Sequence, residues 1–313
     1  METIFKIIVI TIYLFPYFLH ANEYAIKLNK INKGVWIFNP SYNQYKNKIV
    51  ISNIGIIEGD NYTMVIDTGN SKSFALRFLA ELKKVTKKPI KYLVITHRHF
   101  DHTFGIEAYI NQVTEIFMDK YEFEMLKSEG PLIKNMIMKN TNENWQGIEF
   151  ANIINLKINH VKHEKILDLG NRKVLLKNIG RAHTNGDIII YDFKSRTYFA
   201  GDLVFQGRAA AFSDANVRLW SKKLENVFNR PWNYMLPGHG KLITKKKQIN
   251  ETKLWLKFIN NSIEKSSIQG DMISEVLEYP FPEKLKKTKL KEVTFKRGLK
   301  KQIELYKEKN YIE

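Results

Sequence analysis

The chain contains no cysteine. That excludes disulfide bonds, a thiol nucleophile and thiolate ligation of a metal. It leaves the redox compartment open, because a chain without thiols tolerates any of them. Acidic residues are outnumbered, 32 Asp and Glu against 50 Lys and Arg, for a formal net charge of +18. The excess is mostly lysine, spread along the chain together with abundant Ile and Asn, as a compositional bias of the coding genome would produce. No basic stripe with interleaved aromatics offers bases a stacking platform, so no nucleic-acid partner is expected. Attraction of an anionic substrate stays compatible with the charge. The lysine clusters Lys245–Lys247 and Lys284–Lys291 read as solvated helix faces. There is no repeat of fixed short period and no flexible linker. The 313 residues suffice for one large domain with an ample core.

The apolar stretch Ile7 to Leu19 is shorter than the roughly 20 residues a membrane span needs, and Pro16 interrupts it. Lys6 precedes it and Leu19-His20-Ala21 follows as a cleavage site, so residues 1–21 read as a signal peptide. The expected location is periplasmic or secreted, with no stable membrane insertion after leader removal. Retention of the leader as an anchor is the alternative.

What the chain has is histidine in a pattern. His97-Arg98-His99-Phe100-Asp101-His102 places four potential metal ligands in six residues, directly after the apolar run Tyr92-Leu93-Val94-Ile95. That run reads as a buried strand delivering its ligands at the carboxyl end, where α/β architectures build their sites. His183, Asp202 and His239 follow downstream, each beside or near a turn-forming glycine. Neutral imidazole and carboxylate suit zinc, and also iron or manganese. His97 and His99, two apart at a strand end, project to the same side. Adjacent residues such as Asp101 and His102 do not easily share an ion with them, so two neighbouring ions are the natural division. Of eight histidines, His20 lies in the leader, and His160 and His163 read as structural or exposed.

Around these motifs the pattern predicts strands at 34–38, 49–51, 63–66, 92–95, 114–118, 174–176, 188–191, 196–200 and 234–236. Ser71 to Val85 has helical spacing, with Phe74, Leu76, Phe78, Leu79 and Leu82 apolar and Ser71 or Ser73 as the cap. A helix is expected over Phe104–Tyr109, and another over Tyr121–Lys139, broken at Gly130-Pro131 and able to act as a flap. Val217 to Phe228 reads as a helix with Leu219, Trp220, Leu224 and Val227 on its apolar face. Two successive strand-helix series imply an α/β fold, two sheets covered by helices in an αββα sandwich. The expected boundaries are a sandwich domain over 22–243 and a helical C-terminal extension over 244–313 packed on it.

His97-x-His99-x-Asp101-His102 with His183, Asp202 and His239 resembles the full ligand set of the metallo-β-lactamase fold superfamily, and Val65-Ile66-Asp67-Thr68-Gly69 resembles its upstream aspartate motif. The resemblance implies His97, His99 and His183 on one metal, Asp101, His102 and His239 on the other, and Asp202 bridging. It implies two Zn(2+) per chain and hydrolysis by metal-activated water, oriented by Asp101 as the catalytic carboxylate. Asp67 is read as fixing the ligand-bearing loop by hydrogen bonds. Aspartate at 202 is unlike the zinc β-lactamases, which typically carry cysteine or serine near this point, and looks like the glyoxalase II and lactonase side. Arg181–Asp187 and Gly201–Arg208, with Asn53–Ile57, resemble the quinoprotein relay system zinc metallohydrolases, exported enzymes associated with quinoprotein dehydrogenase and sulfur-oxidation systems. The resulting expectation is an exported dinuclear zinc hydrolase of a small ester, thioester or lactone-like molecule. A β-lactamase-type amide hydrolase and a glyoxalase II-like thioesterase are the alternatives. Partners would be a small-molecule substrate and a periplasmic quinoprotein or sulfur-oxidation system, and Arg208 is placed to meet an anionic substrate group.

Overall fold

The computed structural model describes residues 25–40, 52–141, 150–268 and 272–310. The expected signal peptide and the expected strand at 49–51 lie outside the described residues. A seven-stranded sheet runs in chain order: β1 (Leu28–Asn32), β2 (Val35–Phe38), β3 (Ile54–Glu58), β4 (Thr63–Ile66), β5 (Ile90–Val94), β6 (Val113–Met118) and β7 (Ile158–His160). Its first four strands pair antiparallel and the rest parallel. The change falls where α1 (Lys72–Val85) forms the crossover from β4 to β5. A five-stranded sheet has the order β12 (Tyr234–Gly240), β11 (Thr197–Gln206), β10 (Asp187–Asp192), β9 (Lys173–Gly180), β8 (Glu164–Asp168), with β11 and β12 parallel.

Side-chain alternation along each strand explains why the two sheets stack. In β2, Val35 and Ile37 enter the layer between the sheets while Trp36 and Phe38 point outward. In β5, Tyr92 and Val94 point inward and Leu93 outward. The second sheet answers with Val174, Leu176, Ile188, Ile190 and Phe199 in the same inner layer. Both faces of both sheets are therefore apolar, and each outer face needs helices. On the first, α1 buries Phe74, Phe78, Leu79 and Leu82, its N-terminus capped by Ser71 Oγ accepting from Phe74 N. On the second lie α5 (Val217–Asn226), α6 (Asn250–Ile268), α7 (Ile273–Leu277) and α8 (Lys291–Asn310), burying Trp220, Trp255, Phe295 and Leu299. Each such side chain contributes about 1.5–3 kcal/mol of burial. The result is the αββα sandwich with a helical C-terminal region.

Several local expectations need correction. The helix expected to break at Gly130-Pro131 runs unbroken from Lys120 to Thr141 as α3, with Pro131 inside it, and α4 (Phe150–Ile154) follows. Proline removes one backbone donor, but Phe123 and Leu126 before it and Ile133, Ile137 and Met138 after it pack on one cluster, so both halves stay aligned. The expected helix over Phe104–Tyr109 is two shorter pieces, α2 (Phe100–Thr103) and a 3-10 turn over Ile106–Tyr109. Leu76 is 51% exposed and Leu219 38%, so neither belongs to the apolar face assigned to it. Strands β1, β7 and β8 escape the sequence reading because their residues lack a regular apolar alternation, and β3 escapes it because Gly55 interrupts its short apolar run.

Candidate metal centre

The ligand candidates sit within or just beyond strands of both sheets. His97 follows β5, and the loop from it enters α2 with Asp101 and His102. His183 lies between β9 and β10, Asp202 within β11 and His239 within β12. All are buried except His99, which is 23% exposed at its side chain. The structure brings them together in two groups: His97, His99, His183 and Asp202, and Asp101, His102 and His239, with the donor atoms of each group within 4.8 Å of one another. His99 Nδ1 is 3.1 Å from both His97 Nε2 and His183 Nε2. Asp202 spans the groups: its Oδ2 is 3.3 Å from His183 Nε2, and its Oδ1 is 3.2 Å from His102 Nε2 and 3.5 Å from His239 Nε2. Asp101 Oδ2 is 3.0 Å from His239 Nε2.

These spacings fit a shared cation. Tetrahedral ligands at 2.0–2.1 Å from zinc stand about 3.3–3.4 Å apart. Asp101 Oδ2, His102 Nε2 and Asp202 Oδ1 are buried and have no hydrogen-bond partner. Unpaired buried polar atoms are costly, and convergence of three of them is what a cation would satisfy. The electrostatics agree. Burial holds the His97 imidazole well below its ordinary value, with charge on His102 acting in the same direction. Burial likewise lowers His239 and takes His183 to about 3, which leaves lone pairs free for a metal. Burial raises the carboxyls of Asp101 and Asp202, but the surrounding imidazoles outweigh it, holding Asp101 at about 2 and Asp202 well below its usual range. For His99 and His102 burial opposes protonation, yet Asp214 beside the first and Asp67 beside the second raise them. The same negative field would favour a metal cation.

Supporting contacts fix each ligand loop. Asp67 Oδ2 is 2.8 Å from His102 Nδ1, and Asp67 Oδ1 accepts from Thr96 N at 2.8 Å. Asp67 adopts φ 65°, a left-handed conformation that non-glycine residues keep only where the surroundings impose it. Ser52 Oγ donates to the Asp101 carbonyl at 2.6 Å, and Asn53 N donates to the Gly238 carbonyl at 2.8 Å. Gly238 has to be glycine, since a Cβ there would lie 1.8 Å from Asp202 Oδ1. Arg98, between the two motif histidines, is buried against Glu122 at 3.2 Å, and Glu122 Oε1 also accepts from Asn185 N beside His183.

The sequence reading missed Asp214, whose Oδ2 is 3.1 Å from His99 Nε2, as well as Glu122 and Ser52. Nothing local marks Asp214, which stands 115 residues from its partner. His160 and His163 are exposed and lie outside both groups. Arg208 lies 5.6 Å over the Phe205 ring, which stacks on His239 at 5.4 Å.

A family model described as the metallo-beta-lactamase superfamily matches residues 48–239. A metallo-beta-lactamase type 2 from Bacillus sp. (strain 170) is 24% identical over 223 residues, 70% of this chain and 77% of that protein. Among solved structures, a metallo-beta-lactamase from Pontibacter korlensis superposes with a TM-score of 0.56 at 20% identity, covering 74% of this chain and 99% of that one. A metallo-beta-lactamase from Hirschia baltica gives 0.53 at 20% identity, covering 74% and 96%.

Proposed function

The chain belongs to the metallo-beta-lactamase superfamily and is a metal-dependent hydrolase, and from that premise we propose an exported dinuclear zinc enzyme acting on a small ester, thioester or lactone-like substrate. The observation that carries the two-ion reading is Asp202, which turns one carboxylate oxygen toward each group of donors. His97, His99 and His183 would hold one ion, Asp101, His102 and His239 the other, and Asp202 both. The all-nitrogen-and-oxygen donor set in groups of three or four suits zinc. Bound zinc supplies a Lewis acid and brings the pKa of water toward about 7.

The chain's own residues do the rest. Asp101, with its carboxyl held at about 2, stays ionised and orients the attacking water rather than storing its proton. Asp67 keeps the proton of His102 on Nδ1, so that Nε2 faces the site. Arg208, beside the Phe205–His239 stack, meets an anionic end of the substrate. Residues 1–21 support export to the periplasm or beyond. The segments Arg181–Asp187 and Gly201–Arg208 support a place beside a quinoprotein or sulfur-oxidation system.

A second reading, β-lactam amide hydrolysis, is favoured by the names of the similar proteins. A panel of a chromogenic β-lactam, a thioester and a lactone, assayed with zinc and with a chelator, separates them. The proposal expects chelator-sensitive turnover of the thioester or lactone, and preference for the β-lactam would overturn that substrate class.

A further inference from the structure

The loop 207–215, which joins β11 to α5, is held by the C-terminal helices. On α8, the Gln302 side-chain amide donates from Nε2 to the carbonyls of Phe212, Ser213 and Ala215 at 2.9, 3.1 and 3.0 Å. The preceding residue, Lys301, places Nζ 2.5 Å from Asp214 Oδ1. Phe212 is buried in one cluster with Phe295, Leu299 and Ile303 of the same helix. From α6, Trp255 Nε1 donates to the Ala210 carbonyl at 2.9 Å.

Asp214, near the α5 end of this loop, turns its other oxygen toward the metal centre. Oδ2 is 3.1 Å from His99 Nε2 and 3.4 Å from an Arg98 guanidinium nitrogen. The remaining ring nitrogen of His99, Nδ1, faces His97 and His183. A carboxylate on the outer nitrogen of a histidine ligand fixes the ring's tautomer and orientation. Here the carboxylate owes its place to a helix about 90 residues further along the chain. His97 follows β5, and His183 lies between β9 and β10, where the neighbouring Ala182 carbonyl accepts from Asn216 N just past the same loop at 2.9 Å.

We propose that α8 is a working part of the metal centre: Gln302 and Lys301 fix Asp214, Asp214 fixes His99, and the helix thereby sets the affinity of the His97, His99 and His183 position and not of its neighbour. The proposal rests on reading that cluster as a metal position. Asp214, Gln302 and Lys301 are positioning residues, since none of them faces the space between the three histidines.

The test is zinc affinity, measured by competition with a chelating dye, in two backgrounds that isolate one position each. His239→Ala leaves the His97, His99 and His183 position, and His183→Ala leaves the other. In the first background Asp214→Asn and Gln302→Ala are expected to weaken zinc by tenfold to a hundredfold. In the second they are expected to change it less than twofold. Lys301→Met, at a half-exposed side chain whose loss leaves the core intact, is expected to give a smaller loss with the same selectivity. Equal losses in both backgrounds, or none in either, would overturn the proposal. A wild-type protein that binds two zinc ions while these variants match it overturns this proposal alone. A wild type that takes up no zinc overturns the functional reading beneath it as well.

Discussion

Asp67→Asn is the substitution that isolates ligand orientation from folding. Asparagine tolerates the left-handed backbone at φ 65° that Asp67 adopts, so the loop itself is not strained. What changes is the hydrogen bonding. Asp67 accepts from Thr96 N through Oδ1 at 2.8 Å and meets His102 Nδ1 through Oδ2 at 2.8 Å. An amide has one acceptor end. If its oxygen stays on Thr96 N, its NH2 faces His102 Nδ1, and the ring proton must move to Nε2, the atom that faces Asp202 and Asp101. If the amide flips, two N–H groups collide at Thr96. The first arrangement opposes metal binding by His102 and the second unties the loop that orients it, at a cost of tenfold to a hundredfold in affinity, about 1.4–2.7 kcal/mol. Stepwise zinc titration against a chelating dye measures this directly, with the melting temperature of the metal-free protein as the folding control. Unchanged affinity for both ions in a folded Asp67→Asn protein would refute the orienting role.

Gly238→Ala is expected to displace Asp202, because the added Cβ would stand 1.8 Å from its Oδ1; the loss of the second zinc by metal analysis checks it. Glu122→Ala leaves the Arg98 guanidinium buried with one carboxylate fewer and is expected to cost about 3 kcal/mol, a fall of roughly 6–12 °C in melting temperature for a domain of this size. Burial pushes the Asp187 carboxyl up to about 7, above its unfolded value. Its contribution to stability is therefore fully present below about pH 4 and is lost as pH rises through about 7. The stability of the metal-free protein should fall across that window relative to Asp187→Asn, and parallel pH profiles of the two would contradict it.

The candidate site was legible because its donors sit in short motifs attached to strongly patterned strands. Tyr92-Leu93-Val94-Ile95 and Ile188–Tyr191 announce buried strands, and histidine two apart at such an end has one physical direction to point. Asp67, at the end of β4, was legible as a supporting residue through the resemblance of Val65–Gly69 to the family's upstream aspartate motif. The supports that arrive from distant sequence were not. Asp214 reaches His99 across 115 residues, and Glu122 ties Arg98 to Asn185 from the first turn of another helix. Such contacts exist only after the layers stack, and no local periodicity encodes them. The same holds for Pro131, where local preference favours a break and packing on both sides of it keeps one helix. Edge strands such as β8, exposed at four of five positions, carry too little apolar alternation to be read.

Metal identity and stoichiometry test most directly the proposed sharing of two zinc ions by Asp202. The protein lacking residues 1–21 should carry two zinc ions per chain, and Asp202→Ala should carry about one. A single iron, or no bound metal, would contradict the account.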